Sequence, residues 1–139
     1  MDLQEHAALS LPGAALAYLA SGEPLAAAAF MVGGVLIDLD HLVDYWRETG
    51  INADWREFLG YFDARKPIHS FLPLHGWEWV LSFLALALSV GAPGWAWGLA
   101  GGVFCHLVLD HRYNRLHRWA YFFTFRWSVR FHPWSIYED

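Results

Sequence analysis

The sequence predicts an all-α chain: two antiparallel helical hairpins forming a small membrane-embedded four-helix bundle, with a polar middle loop or helix and an aromatic-basic C-terminal tail. Three observations predict it. Apolar residues make up 56% of the 139 residues and aromatic residues 18%, while only 17% are charged, well under the quarter usual in soluble domains. Four apolar segments rich in Ala and Leu, 7–20, 25–37, 77–90 and 95–109, have the composition of helix. Within each pair the separation is a short breaker cluster, Ser21-Gly22-Glu23-Pro24 or Gly91-Ala92-Pro93-Gly94, which suits a tight helical turn. No linker or low-complexity run divides residues 1–139, so a single domain is expected.

The first residues, MDLQEH, carry acids where a signal peptide would have a basic region, so no cleaved signal peptide is expected. His6 immediately precedes the first apolar segment. At about 1.5 Å per residue the four segments reach only about 20 to 25 Å, short of a hydrocarbon core of about 30 Å. Flanking Trp or local thinning would have to make up the difference. All nine Lys and Arg lie in the middle or the tail and none in either hairpin turn. The positive-inside rule then puts the turns outside, and the termini and the middle on the cytoplasmic side of the inner membrane.

The second segment runs into IDLDHLVDY, where Asp38 and His41 are three apart and Asp40 and Asp44 four apart, so each pair shares a helix face. Carboxylates and an imidazole at the end of an apolar helix are costly to bury without a partner. Asp44 has the alternative of facing water. Before the third segment stands HSFLPLHGWEW, with His69 in a loop and His75 and Glu78 three apart at a helix start. Glu78 has a second reading, since an acid in the first turn complements the helix dipole.

In the fourth segment Gly94, Gly98 and Gly102 recur every four residues, a small-residue ridge on which another backbone can approach closely, within the chain or in an oligomer. Its end, HLVLDH, sets His106 and Asp110 on one face with aliphatic residues between them. The second and fourth segments also look alike: GGVLIDLDHLVDY from Gly33 aligns with GGVFCHLVLDHRY from Gly101 and sets Asp38 opposite His106. Cys105, the only cysteine, excludes an intramolecular disulfide and reads as a core residue, with a soft metal ligand as the alternative. In the tail, Phe125, Trp127, Val129 and Phe131 alternate with Arg126, Ser128 and Arg130. A period of two predicts a short strand or an extended interfacial segment.

In paired hairpins the starts of the first and third helices meet the ends of the second and fourth. His6, Asp38, Asp40, His41, His69, His75, Glu78, His106 and Asp110 therefore form the expected metal-ligand set. Imidazoles mixed with carboxylates suit zinc first, then manganese or iron, and the number of ligands is enough for two ions. Asp40 or Glu78, where not a ligand, is the expected general base. A net charge of −5 with His neutral argues against general nucleic-acid binding. Membrane lipid is the expected partner.

On these motifs the chain resembles the LexA-binding, inner-membrane-associated, metal-dependent hydrolase family: His6, IDLDH at 37–41, the His69 and His75 region, HLVLD at 106–110 and the tail FFTFRWSVRF. Ile37 stands where that family often has Pro, and HSFLPLHGWE replaces its commoner HRxxTHS, which leaves both His69 and His75 as ligand candidates. The family is distantly similar to zinc-dependent phospholipase C and P1-type nucleases. The resemblance implies a membrane-bound hydrolase acting on a phosphoester or lipid headgroup through a metal-activated water. The alternatives are a non-catalytic module stapled by metal and a metal carrier or sensor.

Overall fold

Helix formation follows the breaker residues closely. The computed structural model describes residues 3–52, 54–63, 70–114 and 116–136. Helix α1 (Leu3–Ser21) ends at Gly22, whose φ of 71° is left-handed, and α2 (Pro24–Val35) starts with Pro in its first turn, where the missing N–H costs nothing. α2 tightens into a 3-10 turn (Leu36–Asp40) and continues as α3 (His41–Thr49), which stops at Gly50. α4 (Trp55–Asp63) opens with the Asp54 carboxylate accepting the backbone N–H groups of Arg56 and Glu57, both at 3.0 Å. α5 (Trp77–Val90) ends on a left-handed Gly91, and α6 (Gly94–Tyr113) and the short α7 (Phe123–Ser128) follow. Among the described residues there is no strand.

The apolar segments are thus helical and paired as expected, but α1 and α6 run past them into polar sequence. At 19 and 20 residues they are about 28 and 30 Å long, but the added turns are polar, so the apolar parts of α1, α5 and α6 stay short of a hydrocarbon core. Pro24–Thr49 is the helical stretch that is both long and apolar enough to cross a membrane, and Trp77–Val90 is apolar but shorter. The tail corrects its alternating reading. Phe123–Ser128 is helical, with Arg126 fully buried and Trp127 67% exposed, the reverse of what alternation implied. The reason is tertiary: Arg126 turns inward to backbone carbonyls, and Glu78 holds the start of α7.

Packing is densest where α2 crosses α6, with α1 beside both and α5 along α6. A Cβ at Gly98 would lie 2.1 Å from the Ala26 carbonyl oxygen, and one at Gly102 would lie 2.1 Å from that of Phe30. Gly33 approaches Leu99 in the same way. The Gly94/Gly98/Gly102 ridge, read from sequence as a surface for another backbone within the chain or in an oligomer, meets the chain's own α2 and its preceding turn. Apart from Phe30, whose ring fills the space over Gly13 and Gly101, the interior of this helical layer is small or polar (Ser10, Ala14, Ala26, Gly33, Gly34, Ala100), whereas Leu11, Leu16, Leu19, Leu25, Leu81, Leu86 and Leu88 face outward. Large apolar groups outside and small groups inside is the distribution that lipid favours.

Among the described residues, a conventional core forms at the other end of the helices from the hairpin turns. There Ile37, Leu72, Val80, Leu107, Leu116, Ala120, Tyr121 and Ile136 bury one another. This core supports the loop 70–76 and the ends of α2 and α6.

The crossing gives a direct test. Gly102→Ala forces a methyl against the α2 backbone and should lower the thermal midpoint in detergent, at a cost of about 1 to 3 kcal/mol. Gly60→Ala in α4, where a Cβ meets nothing within 4 Å, should leave the midpoint unchanged or raise it, by up to about 1 kcal/mol. Equal effects of the two changes would contradict the close crossing.

Candidate metal centre

Four separate segments deliver the polar side chains: His6 from the first turns of α1, Asp38 from the 3-10 turn, His75 from the loop before α5, and His106 and Asp110 from the last turns of α6. Histidines 6, 75 and 106 are at most 1% exposed. The Nε2 atoms of His75 and His106 point at each other across 3.2 Å. Asp38 Oδ1 lies 3.2 Å from His106 Nε2 and 3.4 Å from His75 Nε2. Asp110 Oδ2 is 3.5 Å from the former and 3.9 Å from the latter.

The far sides of the two rings decide what these atoms can do. His106 Nδ1 is 3.1 Å from the Gly34 carbonyl oxygen, and His75 Nδ1 is 3.0 Å from the Asp40 carboxylate. Both partners only accept, so each Nδ1 carries the hydrogen and each Nε2 turns a lone pair inward. Two lone pairs and two carboxylate oxygens then converge on one point, which is unfavourable unless positive charge sits between them. Burial alone would pull the His75 imidazole down, but the Asp40 and Asp38 carboxylates outweigh it and push its pKa up to about 10. Positive charge at that point relieves the repulsion, and either a proton or a cation can supply it.

The spacing also fits a cation. Ligands about 2.1 Å from a tetrahedral ion lie about 3.4 Å from one another, close to the separations above. His6, Asp38, His106 and Asp110 form one group able to hold an ion, and Asp38, His41 and His75 form another that shares Asp38. His41 Nε2 is 3.6 Å from Asp38 Oδ1, and these two side chains are the more exposed members, at 25% and 21%. His6 Nε2 is 2.9 Å from Asp110 Oδ1, its ring stacks on His106 at 3.9 Å, and its Nδ1 is buried without a hydrogen-bond partner.

Of the residues expected from sequence, His6, Asp38, His41, His75, His106 and Asp110 come together. Asp40 stands behind His75, where it also accepts the Leu74 N–H at 2.8 Å. It orients the His75 ring instead of facing the cluster. Glu78 lies outside both groups: its carboxylate accepts from the backbone N–H groups of Phe123 and Thr124 and from the Thr124 hydroxyl. Both candidates for general base are thus engaged elsewhere. His69 lies outside the described residues. Cys105 is half-buried and belongs to neither group.

Three supporting residues escaped the sequence reading. Tyr121 donates its hydroxyl to Asp110 Oδ2 at 2.7 Å, and Asn114 donates its amide to Asp110 Oδ1 at 2.7 Å. Asn114 was findable, being one helical turn beyond Asp110. Arg126 donates to the carbonyls of Phe71, Leu72 and His75 at 2.7, 3.1 and 2.5 Å. Its only signal was a lone cation between Phe125 and Trp127, because its partners are about fifty residues away in sequence.

These positions separate two substitutions at the start of α5. His75→Ala should strip most of the metal retained by purified protein, a loss of at least about tenfold in affinity. Glu78→Gln should keep metal at the wild-type level while loosening α7, measured as a thermal midpoint reduced by about 1 to 2 kcal/mol of stability. Loss of metal from folded Glu78→Gln protein would return Glu78 to the ligand set.

The sequence model of the YdjM inner membrane protein family matches residues 1–138. Comparison with curated proteins gives no match, and neither does comparison with solved structures. The outward-facing leucines and the long apolar stretch Pro24–Thr49 agree with the membrane setting in that description. A match over nearly the whole length shows that the chain belongs to the YdjM inner membrane protein family.

Proposed function

We propose that the protein is a membrane-bound, zinc-dependent hydrolase that acts on a phosphoester or lipid headgroup. The observation that carries the metal part is the convergence of His75 Nε2, His106 Nε2, Asp38 and Asp110 with each Nδ1 engaged behind its ring. Such a set suits zinc, with manganese or iron as alternatives, and the membership of Asp38 in both groups able to hold an ion supports a second one. When bound, the ion would acidify a water and stabilise negative charge developing on the substrate.

The hydrolytic part is supported by the resemblance of the motifs and by the uneven exposure of the site. His6, His75 and His106 are buried, while Asp38 and His41 form an accessible edge. An open side is what a catalytic site needs and a closed structural site lacks. With Asp40 and Glu78 engaged, His41 at this edge is the residue we assign to accept a proton from water. A second reading, a metal-stapled module without catalysis, is favoured by the origin of the ligands on four separate segments, which an ion would tie together.

The charge distribution further supports an orientation with the metal end and both termini on the cytoplasmic side. Reporter fusions after Asp139 should be active only when the reporter reads the cytoplasm, and thiol reagents should label a cysteine placed in the 91–94 turn from outside. The opposite result at both sites would reverse the orientation.

Elemental analysis of protein purified in detergent without chelator should find about one or two equivalents of divalent metal. His106→Ala and Asp110→Asn should each lower this by at least about tenfold in affinity. His41→Gln should retain the ion held by His106 and Asp110, at least about one equivalent, and lose turnover of a phosphodiester or lipid panel by about 10²- to 10⁴-fold, the usual contribution of a proton-transfer group. Full metal with no turnover in the wild-type protein would select the staple, and folded protein without metal would reject both readings.

A further inference from the structure

A second polar feature opens beside the end of α6. A groove of about 470 Å³ is lined by Trp77, Val108, His111, Arg112 and Arg118, none of which belongs to the metal cluster. Among the described residues no carboxylate pairs with Arg112 or Arg118, and Arg118 instead sits 5.7 Å from the ring centroid of Trp119. His111 Nδ1 is buried without a hydrogen-bond partner. Basic residues at a helix C-terminus complement its dipole, which accounts for Arg112 but not for Arg118 across the groove. In a chain of net charge −5, two guanidiniums that line one groove and have no carboxylate partner among the described residues mark a place for an anion.

What continues from the groove is apolar. Leu81 is one helical turn beyond Trp77 on α5, and Phe104 is one turn before Val108 on α6, so both lie on the faces that form the groove. Trp77 and Phe104 meet edge to face at 5.8 Å. Leu81, Phe104 and Val108 are 61%, 51% and 41% exposed. A cationic head joined to an apolar track, with a Trp at the junction, has the profile of a phospholipid lying against the protein.

We propose that this groove is a binding site for an anionic phospholipid, its phosphate held by Arg112 and Arg118 and its acyl chains lying along Leu81 and Phe104. Guanidinium groups pair with phosphate oxygens through directed hydrogen bonds, and the flanking apolar track selects a lipid over a soluble phosphate. The site stands apart from the metal reading and does not depend on it.

The test uses the full-length protein in mixed micelles, with binding of phosphatidylglycerol and of phosphatidylcholine measured by native mass spectrometry. Phosphatidylglycerol should be preferred, and Arg112→Gln and Arg118→Gln should each weaken it by about fivefold, near the usual effect of one basic residue at an anionic surface. Arg56→Gln removes the same charge from exposed α4 and should leave the preference intact, while metal content should stay at the wild-type level in all three variants. Equal retention of both lipids, or an equal effect of Arg56→Gln, would overturn the site. Complete displacement of the lipid by millimolar inorganic phosphate would overturn its assignment to lipid. Loss of metal together with lipid in Arg112→Gln would refute the separateness of the two sites.

Discussion

The close crossing of α2 on α6 is the contact on which the rest of the molecule depends. Glycines at positions 33, 98 and 102 let the two backbones meet without side chains between them. One result is electrostatic: the Gly34 carbonyl reaches the His106 ring and fixes which nitrogen faces inward. The other is positional, since the chain leaving α2 sets Asp38 against His106 at the end of α6. A wider crossing would separate a carbonyl, a carboxylate and an imidazole that must act together. Lipid gives little drive to bring helices together by burial, so this contact rests on fit and on the polar groups at its end.

His75 is held by a different device. Its loop is gripped from both sides, with Asp40 and Asp44 accepting the N–H groups of Leu74 and Leu72 while Arg126 takes the carbonyls of Phe71, Leu72 and His75. Backbone polarity is matched to charge on each side. Burying such charges is expensive, and removing one partner of a buried set typically costs about 3 to 5 kcal/mol. The expense is understandable where a ligand comes from a loop, because a loop has no hydrogen-bond ladder of its own to fix it.

The helices and the gathering of the histidines and carboxylates were legible in the sequence because both depend on local signals. Gly22-Glu23-Pro24 and Gly91-Ala92-Pro93 mark turns wherever they occur, and paired hairpins bring alternate helix ends to one level. The roles of Asp40 and Glu78 were not legible. Spacing shows that Asp38 and Asp40 are near the ligands, but not which carboxylate faces them and which stands behind a ring. An acid at the start of α5 reads equally as ligand, dipole partner or cap for another segment, and only the distant placement of Phe123 and Thr124 decides. The tail failed for the same reason: alternation across Phe125 to Phe131 is a local pattern overridden by the carbonyls that Arg126 finds near His75.

The 3-10 turn between α2 and α3 has a geometric consequence. An α-helix advances about 100° per residue and a 3-10 helix about 120°. Five residues in the tighter winding therefore rotate everything beyond them by about 100° relative to an uninterrupted helix. Pro24–Thr49 is continuous as a rod but not as a face. The stripe that α2 turns toward α6 is not the stripe that α3 presents, and the quarter turn between them directs Asp44 to the His75 loop and Tyr45 to the rings of Phe58 and Tyr61. One helical rod thus changes its audience midway, from a neighbouring helix to the folded cap that holds the buried histidines.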